Sequence, residues 1–241
     1  MRYLLLNKPY EVLTQFTDEH GRATLKDFVR VPGVYPVGRL DFDSEGLLLL
    51  TDDKPLQHRL SDPRFKVPKT YWAQVEGTVS EEALQQLRRG VPIKEGLTAP
   101  GQAAELPEPA HLWPRNPPIR YRASIPTSWL EIQISQGMNR QVRKMCAAVG
   151  LPCLRLVRAA IGPLELGALP PGQWRDLSPG EVQTLRQAAE VTADSGGRDH
   201  PPAPAGPKRG YAIRFGFDTN VVKPTSPCPG GKGQPGRPGP R

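Results

Sequence analysis

The sequence predicts an α+β fold, a central sheet flanked by a few helices. Short runs with strand character outnumber helical patterns, and they do not alternate strictly with helices as in a doubly wound sheet. One helix carries both start and stop signals and a second opens on a capping box, and nothing repeats at a solenoid period.

The elements follow in order. Residues 2–6 read as a first strand, since the apolar part of Met1-Arg2-Tyr3-Leu4-Leu5-Leu6 is too short for a secretory signal. Residues 11–15 form a second predicted strand. Leu47 to Leu50 are an unbroken apolar run between Gly46 and Thr51-Asp52-Asp53, which predicts a strand buried on both faces over 46–51. A strand over 70–76 precedes a helix over 80–89, which Ser80 caps and Gly90 stops. Glu81 and Glu82 suit its positive end, and Arg88 and Arg89 its negative end. Residues 99–118 are rich in Pro and Ala and read as a long connection. Strands follow over 119–123, 129–135 and 154–159. Ser178-Pro179-Gly180-Glu181 is a capping box opening a helix that runs to about residue 190.

Residues 139–149 form one further helix. Val142, Met145, Cys146 and Val149 share its core face, which puts Arg140, Arg143 and Lys144 on the other side, and Asn139 is the predicted cap. Residues 137–160 hold five basic side chains, with Arg155 and Arg158, and no acid. This is a phosphate or carboxylate site in the making, or an ordinary solvated basic face.

The 241-residue chain has a formal net charge of +8, which suggests an anionic partner. Residues 193–241 supply most of it, with eight Lys or Arg against three Asp. Their Pro and Gly content predicts a disordered basic tail, a solvated appendage or a weak RNA contact, after a catalytic domain over 1–192. Three cysteines without metal spacing point to a reducing compartment, and a soluble, cytoplasmic protein with no membrane partner is expected. The four histidines are scattered without metal spacing. No nucleotide fingerprint or serine-hydrolase elbow occurs, so neither a nucleotide cofactor nor serine hydrolysis is supported.

The most informative stretch is Gly38-Arg39-Leu40-Asp41-Phe42-Asp43-Ser44-Glu45-Gly46, a carboxylate cluster feeding the buried strand. Its spacing imitates a calcium-binding EF-hand loop, but the last position has Asp in place of a bidentate Glu, and the apolar run stands where polar ligands belong. No metal is expected. Asp43 and Ser44 suit a turn, Asp41 can pair with an Arg, and a scaffold-held Asp41 can still face a cleft.

Asn7-Lys8-Pro9, Gly38-Arg39-Leu40-Asp41, Lys69-Thr70-Tyr71 and Asn139-Arg140-Gln141-Val142-Arg143-Lys144-Met145 occur in the order seen in the small-subunit type A family of pseudouridine synthases, which this chain resembles. Residues 112–118 and 125–130 resemble, more narrowly, the large-subunit type E branch. The resemblance spans residues 1 to about 177. Glu11 and Met138 stand where relatives often have Gly and Arg, and the chain starts directly in the catalytic region, as type E enzymes do.

The resemblance implies the pseudouridine synthase fold, a mixed, mainly antiparallel sheet in two halves with an RNA cleft across the middle. It implies conversion of one uridine of large-subunit ribosomal RNA, free or in an assembly particle, by a monomer without a cofactor. Asp41 would be the catalytic carboxylate, as nucleophile on C1′ or base on the sugar, and Arg143 the cation that keeps it ionised. Tyr71 would stack on the uracil and relay the C5 proton. Arg39 would stand beside the displaced base, Arg140, Lys144 and Arg158 would contact phosphates, and Lys69 would support the RNA or the site. A non-catalytic RNA-binding assembly factor and a small-subunit synthase are the rival readings.

Overall fold

A computed structural model describes residues 1–120, 122 and 124–195. In chain order the strands and helices are β1 (Tyr3–Lys8), β2 (Tyr35–Pro36), β3 (Glu45–Thr51), α1 (Lys54–Ser61), β4 (Lys69–Glu76), α2 (Glu81–Arg89), β5 (Pro92–Ile93), β6 (Gly96–Leu97), β7 (Gln102–Leu106), β8 (Thr127–Ile134), α3 (Gln141–Ala148), β9 (Cys153–Ile161), β10 (Leu164–Glu165), β11 (Trp174–Asp176) and α4 (Pro179–Ser195). The fold is α+β, as predicted.

The main sheet runs β11-β1-β3-β9-β4-β8-β7, with β2 on β3 and β10 on β9; β5 and β6 pair separately. Every pairing in it is antiparallel except that of β3 with β9. That parallel junction has only two residue pairs, Glu45 with Val157 and Gly46 with Arg158. Two half-sheets therefore meet at a short seam, directly after the Asp41 loop.

Strand alternation sorts the side chains. Leu4, Leu6, Leu48 and Leu50 enter one core cluster, and Ala73, Val75, Leu130, Val142 and Leu156 another. Tyr71 packs against both. The opposite phase of the strands, Leu5, Leu47, Leu49 and Val157, builds a third cluster with Leu60 of α1 and Leu185 of α4. Leu47 to Leu50 are all fully buried, so the apolar run serves both faces, each side chain contributing about 1.5–3 kcal/mol.

Most strands lie close to their predicted positions, and the exceptions are instructive. Residues 11–15 are not a strand; Leu13 makes one isolated bridge to Thr24. Glu11 takes a left-handed φ of 55°, a conformation that a residue with a Cβ disfavours. Part of the Pro- and Ala-rich connection is an edge strand, β7, while Ile119, Arg120 and Arg122 are outside any strand. Helix α1 was not predicted, although Asp53-Lys54-Pro55 is a start signal; the Asp53 carboxylate accepts from Leu56 N at 3.1 Å.

Helix α2 has its predicted Ser80 and Gly90 caps. The Ser178–Glu181 capping box closes in both directions, at 2.8 and 3.3 Å. Helix α4 runs on to Ser195, three residues into the expected tail; the remaining tail residues lie outside the described residues.

The back of the seam is tied by an ion pair. Arg155 donates to both carboxylate oxygens of Glu45 at 2.8 Å, and Trp113 Nε1 donates to the same carboxylate at 2.8 Å. Both charges are buried. Residues 112–118, separated from β3 by more than sixty residues of chain, thus brace its first residue.

Candidate active site

A cleft of about 500 Å³ opens over the seam, bordered by Arg39, Asp41, Lys69, Tyr71, Arg140 and Arg158 among others. Arg143 and Lys144 lie outside this lining. Strand phase explains the floor: Lys69 and Tyr71 share the phase of Ala73 and Val75, and Arg158 that of Leu156. Tyr71 and Arg158 are directly paired across β4 and β9.

Asp41 sits in the loop before β3. Thr14 Oγ1 donates to Leu40 O at 2.6 Å, and Ser44 N donates to Asp41 O at 3.1 Å, so the backbone on both sides of Asp41 is held. The Asp41 side chain remains partly open. Beneath the loop lies Lys8, fully buried, with Nζ donating to Pro9 O at 2.7 Å and Val12 O at 2.8 Å. Burial pushes its ammonium down to about 7, against the opposing pull of Glu45 and Asp43.

The cations are arranged differently from the expectation. The neighbour of Asp41 is Arg140, at 3.8 Å. Arg143 is turned to Asp43: Nη2 donates to its backbone oxygen at 2.7 Å, and Nε is 3.5 Å from its carboxylate. Arg140 grips the same Asp43 carboxylate with two 2.7 Å hydrogen bonds. Burial raises the Asp43 carboxyl, but the two guanidiniums outweigh it and hold it below the ordinary carboxylate value. Sequence reasoning assigned Asp43 only to a turn. Its partners lie about a hundred residues away, so no local signal could reveal them.

The basic face of α3 is also less bare than the acid-free sequence around it suggests. Asp43 takes Arg140, and Glu95, from the β5–β6 hairpin, takes Lys144. Arg143 points inward, with its side chain 12% exposed. The cap position is Arg140, at a left-handed φ of 50°, instead of Asn139, whose side chain accepts from Lys144 at 3.2 Å.

Arg158 is 2% exposed and borders the cleft from its floor. Its Nε donates to Leu47 O at 2.8 Å, and Nη2 is buried without a hydrogen-bond partner among the described residues. Lys69 donates to Val67 O at 3.2 Å. Burial, then repulsion from Arg158, pushes its ammonium down to about 8. Arg39 is exposed at the rim, between the cleft and a neighbouring groove lined by Lys54, Gln57 and His58.

The site therefore joins a held but open carboxylate, an aromatic floor and an excess of cations. The carboxylates of the apparent calcium motif are divided: arginines of the α3 region engage Asp43, while Glu45 is engaged from the back by Arg155. The sequence model described as RNA pseudouridylate synthase matches residues 2–148. The chain belongs to that family.

This pseudouridylate synthase is 54% identical to the ribosomal large subunit pseudouridine synthase E of Vibrio vulnificus, over 73% of its own length and 75% of the relative's. It is 58% identical to the protein of the same name from Xanthomonas campestris, over 71% and 93%. A crystal structure of a pseudouridylate synthase superposes with a TM-score of 0.64 at 28% identity, covering 76% of this chain and 73% of the other. The fold class agrees with these neighbours. Among the described residues no helix is long and apolar enough to cross a membrane.

Proposed function

We propose that this synthase isomerises one uridine of large-subunit ribosomal RNA to pseudouridine, with Asp41 as the catalytic carboxylate. Relatives above 50% identity are named for that subunit, which favours it over a small-subunit target. The narrower placement with small-subunit type A enzymes rests on the four sequence motifs. The synthase acts as a monomer, on free RNA or an assembly particle, in the cytoplasm. Residues 1–192 form its catalytic domain, with the remainder as a basic tail.

The observation that carries the reading is the open Asp41 carboxylate across a cleft from Tyr71, with Arg140 at 3.8 Å. The target uridine leaves its stack and enters this cleft, where Tyr71 takes the exposed face of the uracil and offsets lost stacking. Asp41 acts at the sugar, as nucleophile on C1′ or as the base that takes a sugar proton. The C1′–N1 bond breaks with its electron pair moving to the uracil. The base turns, C1′ bonds to C5, and the C5 proton leaves with help from Tyr71. Arg140, with Arg143 behind it on Asp43, supplies positive charge around the Asp41 carboxylate. Arg39 occupies the space beside the displaced base. Lys144 exchanges its carboxylate partner for a phosphate when RNA arrives, Arg140 meets a phosphate while still held by Asp43, and Lys69 supports the bound nucleotide.

The test is incubation of large-subunit ribosomal RNA transcript with wild type or Asp41→Asn, without added metal or cofactor. Conversion by wild type alone, with RNA binding retained by the variant, is expected. Equal conversion by both removes Asp41 from the mechanism, and mapping the modified position identifies the target.

A further inference from the structure

We propose that Arg158 reads the extruded base: its guanidinium, in the cleft floor beside Tyr71, donates to a carbonyl oxygen of the uracil. This rests on the reading that the cleft accepts a flipped uridine.

Three observations carry it. First, Arg158 is held in place: Nε is committed to Leu47 O, and its backbone forms the seam with Gly46. A Cβ at Gly46 would lie 2.4 Å from Arg158 O, so the two backbones are in close contact. Second, the side chain is nine-tenths or more buried yet borders the cleft, and Nη2 lacks a partner among the described residues. A buried, unmatched guanidinium donor is costly, and an acceptor brought by a ligand removes that cost. Third, Arg158 is the cross-strand partner of Tyr71 on the same side of the sheet. A base stacked on Tyr71 therefore presents its edge to the residue beside it.

The chemistry selects the acceptor. A guanidinium has donors only. Uracil offers carbonyl oxygens at C2 and C4; cytosine shares the first but has an amino group at C4, so a contact at C4 would oppose donor to donor and reject it. Phosphates follow the outside of the cleft, where Arg39 and Arg140 are exposed or partly exposed, while only the extruded base reaches the floor. The contact also serves the reaction. When the C1′–N1 bond breaks, the electron pair spreads from N1 onto the uracil oxygens, and a fixed guanidinium stabilises that charge more than the neutral base.

Single-turnover conversion and RNA affinity are measured for wild type, Arg158→Met and Arg158→Lys, on uridine, 2-thiouridine and 4-thiouridine transcripts. Sulfur is the weaker acceptor. Arg158→Met is expected to slow conversion ~100-fold or more with RNA affinity little changed, and Arg158→Lys to recover part of the rate. One thio-substitution should slow wild type but not slow Arg158→Met further. Unchanged conversion in Arg158→Met overturns the inference. So does weaker RNA binding with a salt slope reduced by about one, which would mark a phosphate contact. If Arg158→Met does not fold, the wild-type thio series decides: no slowing by either substitution overturns the proposal. Absence of conversion of any uridine by wild type sinks the parent reading instead.

Discussion

Arg140 holds Asp43 through two 2.7 Å hydrogen bonds while standing 3.8 Å from Asp41. One arginine thus spans two carboxylates of the same loop, and Arg143 takes Asp43 from a second direction. Asp43 sets how closely positive charge approaches Asp41.

Replacing Asp43 with Asn should release Arg140 toward Asp41 and occupy the carboxylate proposed to act at the sugar. A fall of about 10- to 100-fold in the single-turnover rate is expected, with RNA affinity retained. The folded-state pKa of Asp43 is depressed. Its contribution to stability is therefore present above the unfolded value of about 4 and is lost as pH falls through the folded value. Urea unfolding followed downward from pH 5 should show a shallower acid loss in Asp43→Asn than in wild type. Equal rates and equal acid slopes would refute this role.

Lys8 makes the opposite prediction with pH. Its folded-state pKa is lowered to about 7, whereas an unfolded lysine titrates near 10.4. Between these values the unfolded chain binds the extra proton, so stability rises with pH across that window, by up to about 1.4 kcal/mol per pH unit for one such group. Lys69, lowered to about 8, adds a rise over a narrower range. The urea midpoint of wild type should increase from pH 7 toward 10, and Lys8→Met should lose the part beginning near 7. A midpoint independent of pH in wild type would contradict the burial argument.

Gly46 permits the seam. It has φ of 100°, and a methyl group there would meet Arg158 O at 2.4 Å and Arg158 N at 2.8 Å. Gly46→Ala should therefore cost about 3 kcal/mol or more through combined strain and overpacking. Chemical denaturation reads this directly. A loss below about 1 kcal/mol would mean that the two half-sheets can separate at the seam without penalty.

The sequence by itself determined what depends on near neighbours. Alternating or continuous apolar runs set β1, β3, β4, β8 and β9, because side chains two apart share a face. Ser80, Gly90 and the Ser178–Glu181 box set helix ends, because a cap acts over three or four residues. The order of four short motifs disclosed the family and pointed to Asp41, Tyr71 and Arg143. Tertiary structure alone decided which charges meet. It brought Arg140 and Arg143 to Asp43, Glu95 to Lys144, and Trp113 and Arg155 to Glu45, across separations of about fifty to 110 residues. It also buried Arg158, since the exposure of a strand residue depends on what packs above it. Local spacing carries the backbone's preferences, while the electric field at Asp41 is a sum over side chains that become neighbours only after the half-sheets join.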